Sequence, residues 1–177
     1  MDGIHYLIDE PRPFTTKYSS HKFGSKSALC YEYVLFTNKA KMAMLNGPYP
    51  AATHDRDIFK KKLKGAIEKK QEDTGHTVRV IADDGYLAKK LMHVLSCCNE
   101  MDPKEIAYFK DRALSRHEKF NGLTKVYDIL TAKFRHDRGW NPFRRHPRHQ
   151  ACVESICVTI QYELDLGHKS LFDPYPT

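Results

Sequence analysis

Residues 77–86 read TVRVIADDGY. The first six are β-branched or apolar enough to predict a short strand over 77–82, and the run stops abruptly at Asp83-Asp84-Gly85. A strand that ends in acids and a glycine presents those acids at the edge of a sheet. Upstream, residues 31–36 (YEYVLF) are aromatic and β-branched and predict a strand. Residues 37–39 form a turn, and 41–46 (KMAMLN) alternate as the returning strand of a hairpin. Gly47-Pro48-Tyr49-Pro50 breaks that strand. Residues 10–27, rich in Pro, Ser, Thr, Lys and Gly, read as a loop.

Helices surround these strands. Thr53 is placed to cap one, with Asp55 and Asp57 in its first turn and Lys60, Lys61 and Lys62 after them, an order that suits the helix dipole. Ile58, Phe59, Leu63 and Ile67 give its apolar stripe. Residues 91–95 predict another short strand. Residues 103–134 read as one long helix with Pro103 at its first position and Asp102 as cap. Ile106, Phe109, Ala113, Phe120, Leu123, Tyr127, Leu130 and Phe134 mark its buried face, and Gly122 is where it can bend. Residues 135–149 (RHDRGWNPFRRHPRH) predict a basic loop. A final helix over 150–166 buries Val153, Ile156, Cys157, Ile160 and Leu164, and the closing LFDPYPT reads as a docked extended end. The order predicts a mixed α/β fold, a central sheet covered by helices.

The chain has 177 residues, which favours one domain over 1–177. Hydrophobic residues make up 41%, too many for a disordered chain. No apolar run approaches the ~20 residues of a membrane span, and MDGIHYLIDEPRP has no signal-peptide core. The five Cys are odd in number and form no C-x-x-C pair, as reduced thiols in an intracellular protein would. Cys97-Cys98, Cys152/Cys157 and His146/His149 lack zinc spacing. The formal charge of +7 points to a polyanionic partner.

Three acids fall on different elements: Asp2 in MDGIHYLI, Asp83 at the end of the clearest strand, and Glu118 in mid-helix. Carboxylates gathered from separate elements repel one another unless a divalent cation lies between them, and oxygen donors favour Mg²⁺ or Mn²⁺. Two such ions activate a water or hydroxyl and stabilise the leaving oxygen of a phosphodiester. Acids at strand ends and on helices are also ordinary solvated or capping groups, so residue type alone leaves both readings open.

The phrases MDGIHYLIDEPRPF, KYSSHKFG, YEYVLF, GPYPAATHDRDIFK, VIADDGY and RALSRHEKFNGLTKVYDILTAKFRH, with the closing HQACVESICVTIQYEL and SLFD, resemble in order the DDE superfamily endonuclease domain of PIF/Harbinger-type transposases. The resemblance implies a ribonuclease H-like mixed central sheet flanked by helices. It makes Asp2, Asp83 and Glu118 the catalytic, metal-binding acids. Asp2 lies in D-G-I-H where that family has D-G-T-H. Asp83 lies in D-x-G-Y, and Glu118, 35 positions after Asp83, follows Arg112 and Arg116. Lys125, two helical turns on, matches the family's lysine and would contact a DNA phosphate. Asp55, in T-H-D, matches a further acid, either an auxiliary ligand or a helix N-terminal acid. The basic residues Arg116, Lys133, Arg135, Arg138, Arg144, Arg145 and Arg148, with Trp140 and Phe143, would follow a DNA strand, or form a solvated connection.

Chains of that family carry more sequence before the first acid, including a helical DNA-binding region. Here one residue precedes Asp2, which implies a shortened first strand and a separate DNA-binding protein partner. The resemblance implies a nuclear protein that uses Mg²⁺ or Mn²⁺ to cleave DNA or transfer its strands. The alternative is a domesticated, non-catalytic DNA-binding or protein-interaction module that keeps the fold.

Overall fold

β1 (Asp2–Leu7), β2 (Ala28–Leu35) and β3 (Met42–Pro50) form an antiparallel sheet in the order β1-β2-β3, in a computed structural model that describes residues 1–39, 41–82, 94–96, 101–135 and 142–168. The side chains of residues 2, 96 and 142–145 lie outside that description. β1 runs against β2 from Asp2↔Tyr33 to Leu7↔Ala28. The hairpin of β2 and β3 closes with Phe36 N–H donating to Lys41 O (3.0 Å). Next come α1 (Asp55–Ile58), a π turn (Phe59–Leu63) and α2 (Lys64–Thr74) as one continuous helical run. β4 (Val80–Ala82) and β5 (Val94–Ser96) pair in parallel. The chain continues through α3 (Lys104–Thr124), α4 (Asp128–Thr131) and α5 (Pro142–Asp165).

The period of two in a strand splits the apolar side chains between two layers. Ile4 and Tyr6 of β1 and Leu29, Tyr31, Tyr33 and Leu35 of β2 meet Phe120, Leu130, Val153, Ile156, Ile160 and Leu164 of the last three helices. Val34, Met44 and Met1 lie with Phe59, Leu63, Ile67, Val80 and Ala82 in a second cluster under α2. This is a mixed α/β arrangement, a small antiparallel sheet with helices, and it is compatible with a DDE nuclease fold.

Several expectations are corrected. β3 is not broken at Gly47 but runs to Pro50; register shifts on β2 between Cys30 and Glu32 absorb the irregularity, and β3 lies at the end of the sheet order, where a strand tolerates proline. The first helix is capped by His54, whose Nδ1 accepts from Arg56 N–H (3.2 Å), not by Thr53.

The long helix ends at Thr124 instead of running to 134. The backbone at Phe134 pairs with the end of β1 instead, donating to Leu7 O (3.1 Å) and accepting from Asp9 N–H (3.3 Å), so tertiary pairing overrides helical periodicity. Its first half also faces differently: Ile106 and Phe109 are 46% and 47% exposed, while Lys110 is buried against Asp102. Finally, α5 starts at Pro142 rather than 150, so the basic segment is partly helical. Proline suits a first helical position. The two extra turns carry His149, whose Nδ1 meets Tyr31 OH at 2.8 Å inside the core, and His146, whose Nε2 meets Tyr18 OH at 3.2 Å. The expected stripe of Val153, Ile156, Cys157, Ile160 and Leu164 is buried.

Candidate functional site

Met1 lies where the two sheets and α3 meet. Its nitrogen donates to Ile81 O (2.6 Å) and sits 2.9 Å from His117 Nε2. The local reasons are apolar: Met1, Val80 and Ala82 are buried together, and the adjacent turn of α3 turns His117 and Phe120 inward. Asp2 is therefore one residue from this junction along β1, and Glu118 one residue from it along α3. Asp83 follows two positions after Ile81. A helix turns 100° per residue, so Glu118 is exposed beside buried His117. Burial, then the neighbouring amine, lowers the His117 pKa to about 3.

Met1, Ile81 and His117, which meet at this junction, precede Asp2, Asp83 and Glu118 by one, two and one positions in the sequence. Asp83 and the side chain of Asp2 lie outside the described residues. Among the described residues no group of three His, Cys, Asp or Glu side chains is gathered to hold a metal ion. The donors that the three segments carry are carboxylates, the chemistry that suits Mg²⁺ or Mn²⁺.

Gly3, next to Asp2, borders a second set of polar groups. Asp55 comes from the start of α1, and its Oδ1 lies 3.5 Å from where a Cβ on Gly3 would stand. Lys22 Nζ donates to Gly3 O (2.6 Å). Glu32 opposes Gly3 in the β1–β2 register and is fully buried. Asn46 Nδ2 donates to Glu32 Oε2 (3.3 Å), and Tyr49 OH donates to Asn46 Oδ1 (3.0 Å). Asp55 therefore both heads a helix and lies against the strand of the first acid. Sequence reasoning passed over Glu32. Its signal is there to read, a single acid inside the otherwise aromatic and β-branched YEYVLF.

The cations are distributed differently from one another. Arg116 is buried, 8% exposed, and its guanidinium donates to Thr37 O, bracing α3 against the end of β2. Lys125 is exposed at the C-terminal end of α3, and Arg148 is exposed on α5. Lys133 pairs with Asp9 at 3.3 Å and Arg135 approaches the same carboxylate at 4.0 Å. The side chains of Phe143, Arg144 and Arg145, and the whole of Arg138 and Trp140, lie outside the described residues. Lys60, Lys61 and Lys62 add an exposed run on the π turn, with Lys61 Nζ 5.1 Å over the Tyr49 ring.

Among the described residues no helix is long and apolar enough to cross a membrane. A family model described as DDE superfamily endonuclease matches residues 1–160. No curated protein and no solved structure matches.

Proposed function

The chain belongs to the DDE superfamily endonuclease family, and from that premise we propose that residues 1–177 are the catalytic domain of a PIF/Harbinger-type transposase, or of a nuclease derived from one, on a ribonuclease H-like fold. Asp2, Asp83 and Glu118 hold divalent cations, Mg²⁺ or Mn²⁺, with Asp55 as an auxiliary group. Bound there, the ions supply an activated water or hydroxyl and charge stabilisation for the leaving oxygen of a DNA phosphodiester. The acids hold the ions, and the exposed Lys125 and Arg148 hold the phosphate backbone. The cleavage acts on DNA in the nucleus.

The observation that supports this reading is the junction at Met1, which links residues one position before Asp2 and Glu118 and two positions before Asp83 within hydrogen-bond distance. The test is nicking of supercoiled plasmid DNA in Mg²⁺ or Mn²⁺. Asp83→Asn and Glu118→Gln each lower the rate by roughly 10²–10³-fold or more, the scale of losing one electrostatic stabiliser of the transition state. Equal nicking by the double variant, or nicking that persists in EDTA, overturns the assignment. Salt-dependent DNA binding with no cleavage at any metal concentration marks a non-catalytic module instead.

A further inference from the structure

Residues 19–27 fold back on themselves beside β1. Ser19 and Ser27 form an antiparallel bridge. Inside it, Ser20 N–H donates to Lys26 O (3.0 Å), and Ser20 O accepts from Phe23 N–H (3.2 Å) and Ser25 N–H (2.9 Å). Gly24 and Ser25 turn the chain at φ +58° and +66°, a left-handed conformation that a serine seldom adopts. Backbone strain that the surrounding bonds hold in place is a mark of a segment whose shape is used.

The loop delivers three consecutive side chains to β1, which lies at the end of the sheet order. Ser20 is fully buried, and its Oγ meets His5 Nδ1 at 2.6 Å. His21 sets its ring edge-on to His5, with 5.5 Å between centroids. Lys22 Nζ donates to Gly3 O (2.6 Å). The lysine is therefore fixed one residue along β1 from Asp2. An ammonium has three protons to donate, and this carbonyl takes one. Among the described residues Lys22 forms no ion pair, although Asp55 Oδ1 flanks the same glycine.

A lysine held by a neutral carbonyl keeps its charge for a further anion. A side chain already fixed in one geometry loses little rotamer freedom when that anion arrives. The acids of the site repel an anion by themselves, whereas a phosphodiester drawn to their cations gains a compact positive charge at this edge. We propose that Lys22 is a phosphate-binding residue, presenting its amine to the DNA backbone beside the strand of the first acid, with the 19–27 loop as its mount. The inference rests on the nuclease reading for the identity of the anion.

The test is duplex DNA binding by fluorescence anisotropy over a range of salt, in Ca²⁺, which takes oxygen donors as Mg²⁺ does. Lys22→Met and Lys22→Gln, the second keeping a donor for Gly3 O, each lower the slope of log affinity against log salt by about one. Lys22→Arg keeps the slope of the unaltered chain, and so does Lys26→Met, which removes an exposed charge from the same loop. An equal change with Lys26→Met reduces the effect to general loop charge and overturns the contact. A lowered melting temperature with the slope intact makes Lys22 a clamp on β1 and overturns it too, as does an unaltered chain that binds no DNA. Nicking in Mg²⁺ is scored separately. A slope that falls with Lys22 while no chain nicks rejects the nuclease reading and supports the phosphate contact. Nicking that depends on Glu118, with a slope indifferent to Lys22, rejects the contact alone.

Discussion

Gly47 sits at φ +139°, a conformation that side-chain-bearing residues rarely adopt, and a Cβ there would stand 2.6 Å from Tyr31 Cδ1 and 3.0 Å from Cys30 O. Gly47→Ala therefore destabilises by about 2–3 kcal/mol through strain and overlap together. Gly24→Ala, at φ +58° with nothing within 4 Å, serves as the conformational control and costs about 1 kcal/mol. Urea midpoints of the two variants separate these contributions, and equal midpoints would remove the steric part. His149 carries a second residue-scale prediction. It is fully buried, its Nδ1 meets Tyr31 OH, and burial, then nearby His146, lowers its pKa to about 4. His5 is lowered to about 4 as well, first by burial and then by Lys22 and His21. The unfolded chain takes up protons below its ordinary pKa of about 6.5. Between that pH and about 4 the unfolded state binds more protons, so stability falls as pH drops through this window and is level above it. Melting temperatures from pH 8 to pH 4 check this. His149→Gln lowers the starting stability but makes the fall shallower, and an unchanged slope would remove His149 from the cause. Neither position is readable from the sequence: GPYP reads as a strand breaker, and His149 reads as one more basic loop residue.

At the scale of elements, periodicity succeeded where apolar side chains meet apolar neighbours. The five-residue stripe of α5 was legible because spacing of three and four needs no knowledge of the partner. The first half of α3 was not legible, because its buried position is a lysine whose partner is supplied by tertiary proximity. Lys110 and Asp102 are in direct contact, with side chains only 7% and 14% exposed. A pattern of apolar residues instead picks Ile106 and Phe109, which stand half out in solvent. Breaking a buried pair on one side strands a charge, whereas removing both charges does not. Asp102→Asn is therefore expected to cost about 3 kcal/mol, and Lys110→Met combined with Asp102→Asn to recover most of it. A double-mutant cycle by chemical denaturation measures the coupling. Strict additivity would mean that the contact contributes nothing to stability. The boundary of α3 at Thr124 was hidden for a related reason. Thr124 Oγ1 accepts from Tyr6 OH (3.0 Å) and donates to Asn121 O (2.9 Å), and the chain beyond it turns back to meet β1.

Over the whole molecule, the acid-bearing motifs are legible as phrases in order, while the junction of Met1, Ile81 and His117 depends on contacts no phrase contains. Met1 touching Ile81 and His117 joins segments 80 and 116 positions apart. The basic residues divide the same way. Charge can be counted in the sequence, but Arg116 turns out buried, and Lys133 and Arg135 lie beside Asp9. Lys125, Arg148 and the run Lys60, Lys61 and Lys62 remain exposed. Phosphate contacts release counterions, so affinity for DNA falls as a power of salt concentration, with nearly one unit of slope per contact. Fluorescence titration of the chain with duplex DNA is thus expected to show affinity dropping at least tenfold between 50 and 200 mM salt, with unrelated duplex sequences behaving alike. Lys125→Ala is expected to lower the slope of log affinity against log salt by about one, leaving the melting temperature unaltered because the side chain is exposed. Arg116→Ala is expected to do the reverse, lowering the melting temperature with the slope intact, since its guanidinium braces Thr37 rather than facing a phosphate. A slope that changes with Arg116 and not with Lys125 would place the nucleic acid on a different face of the protein.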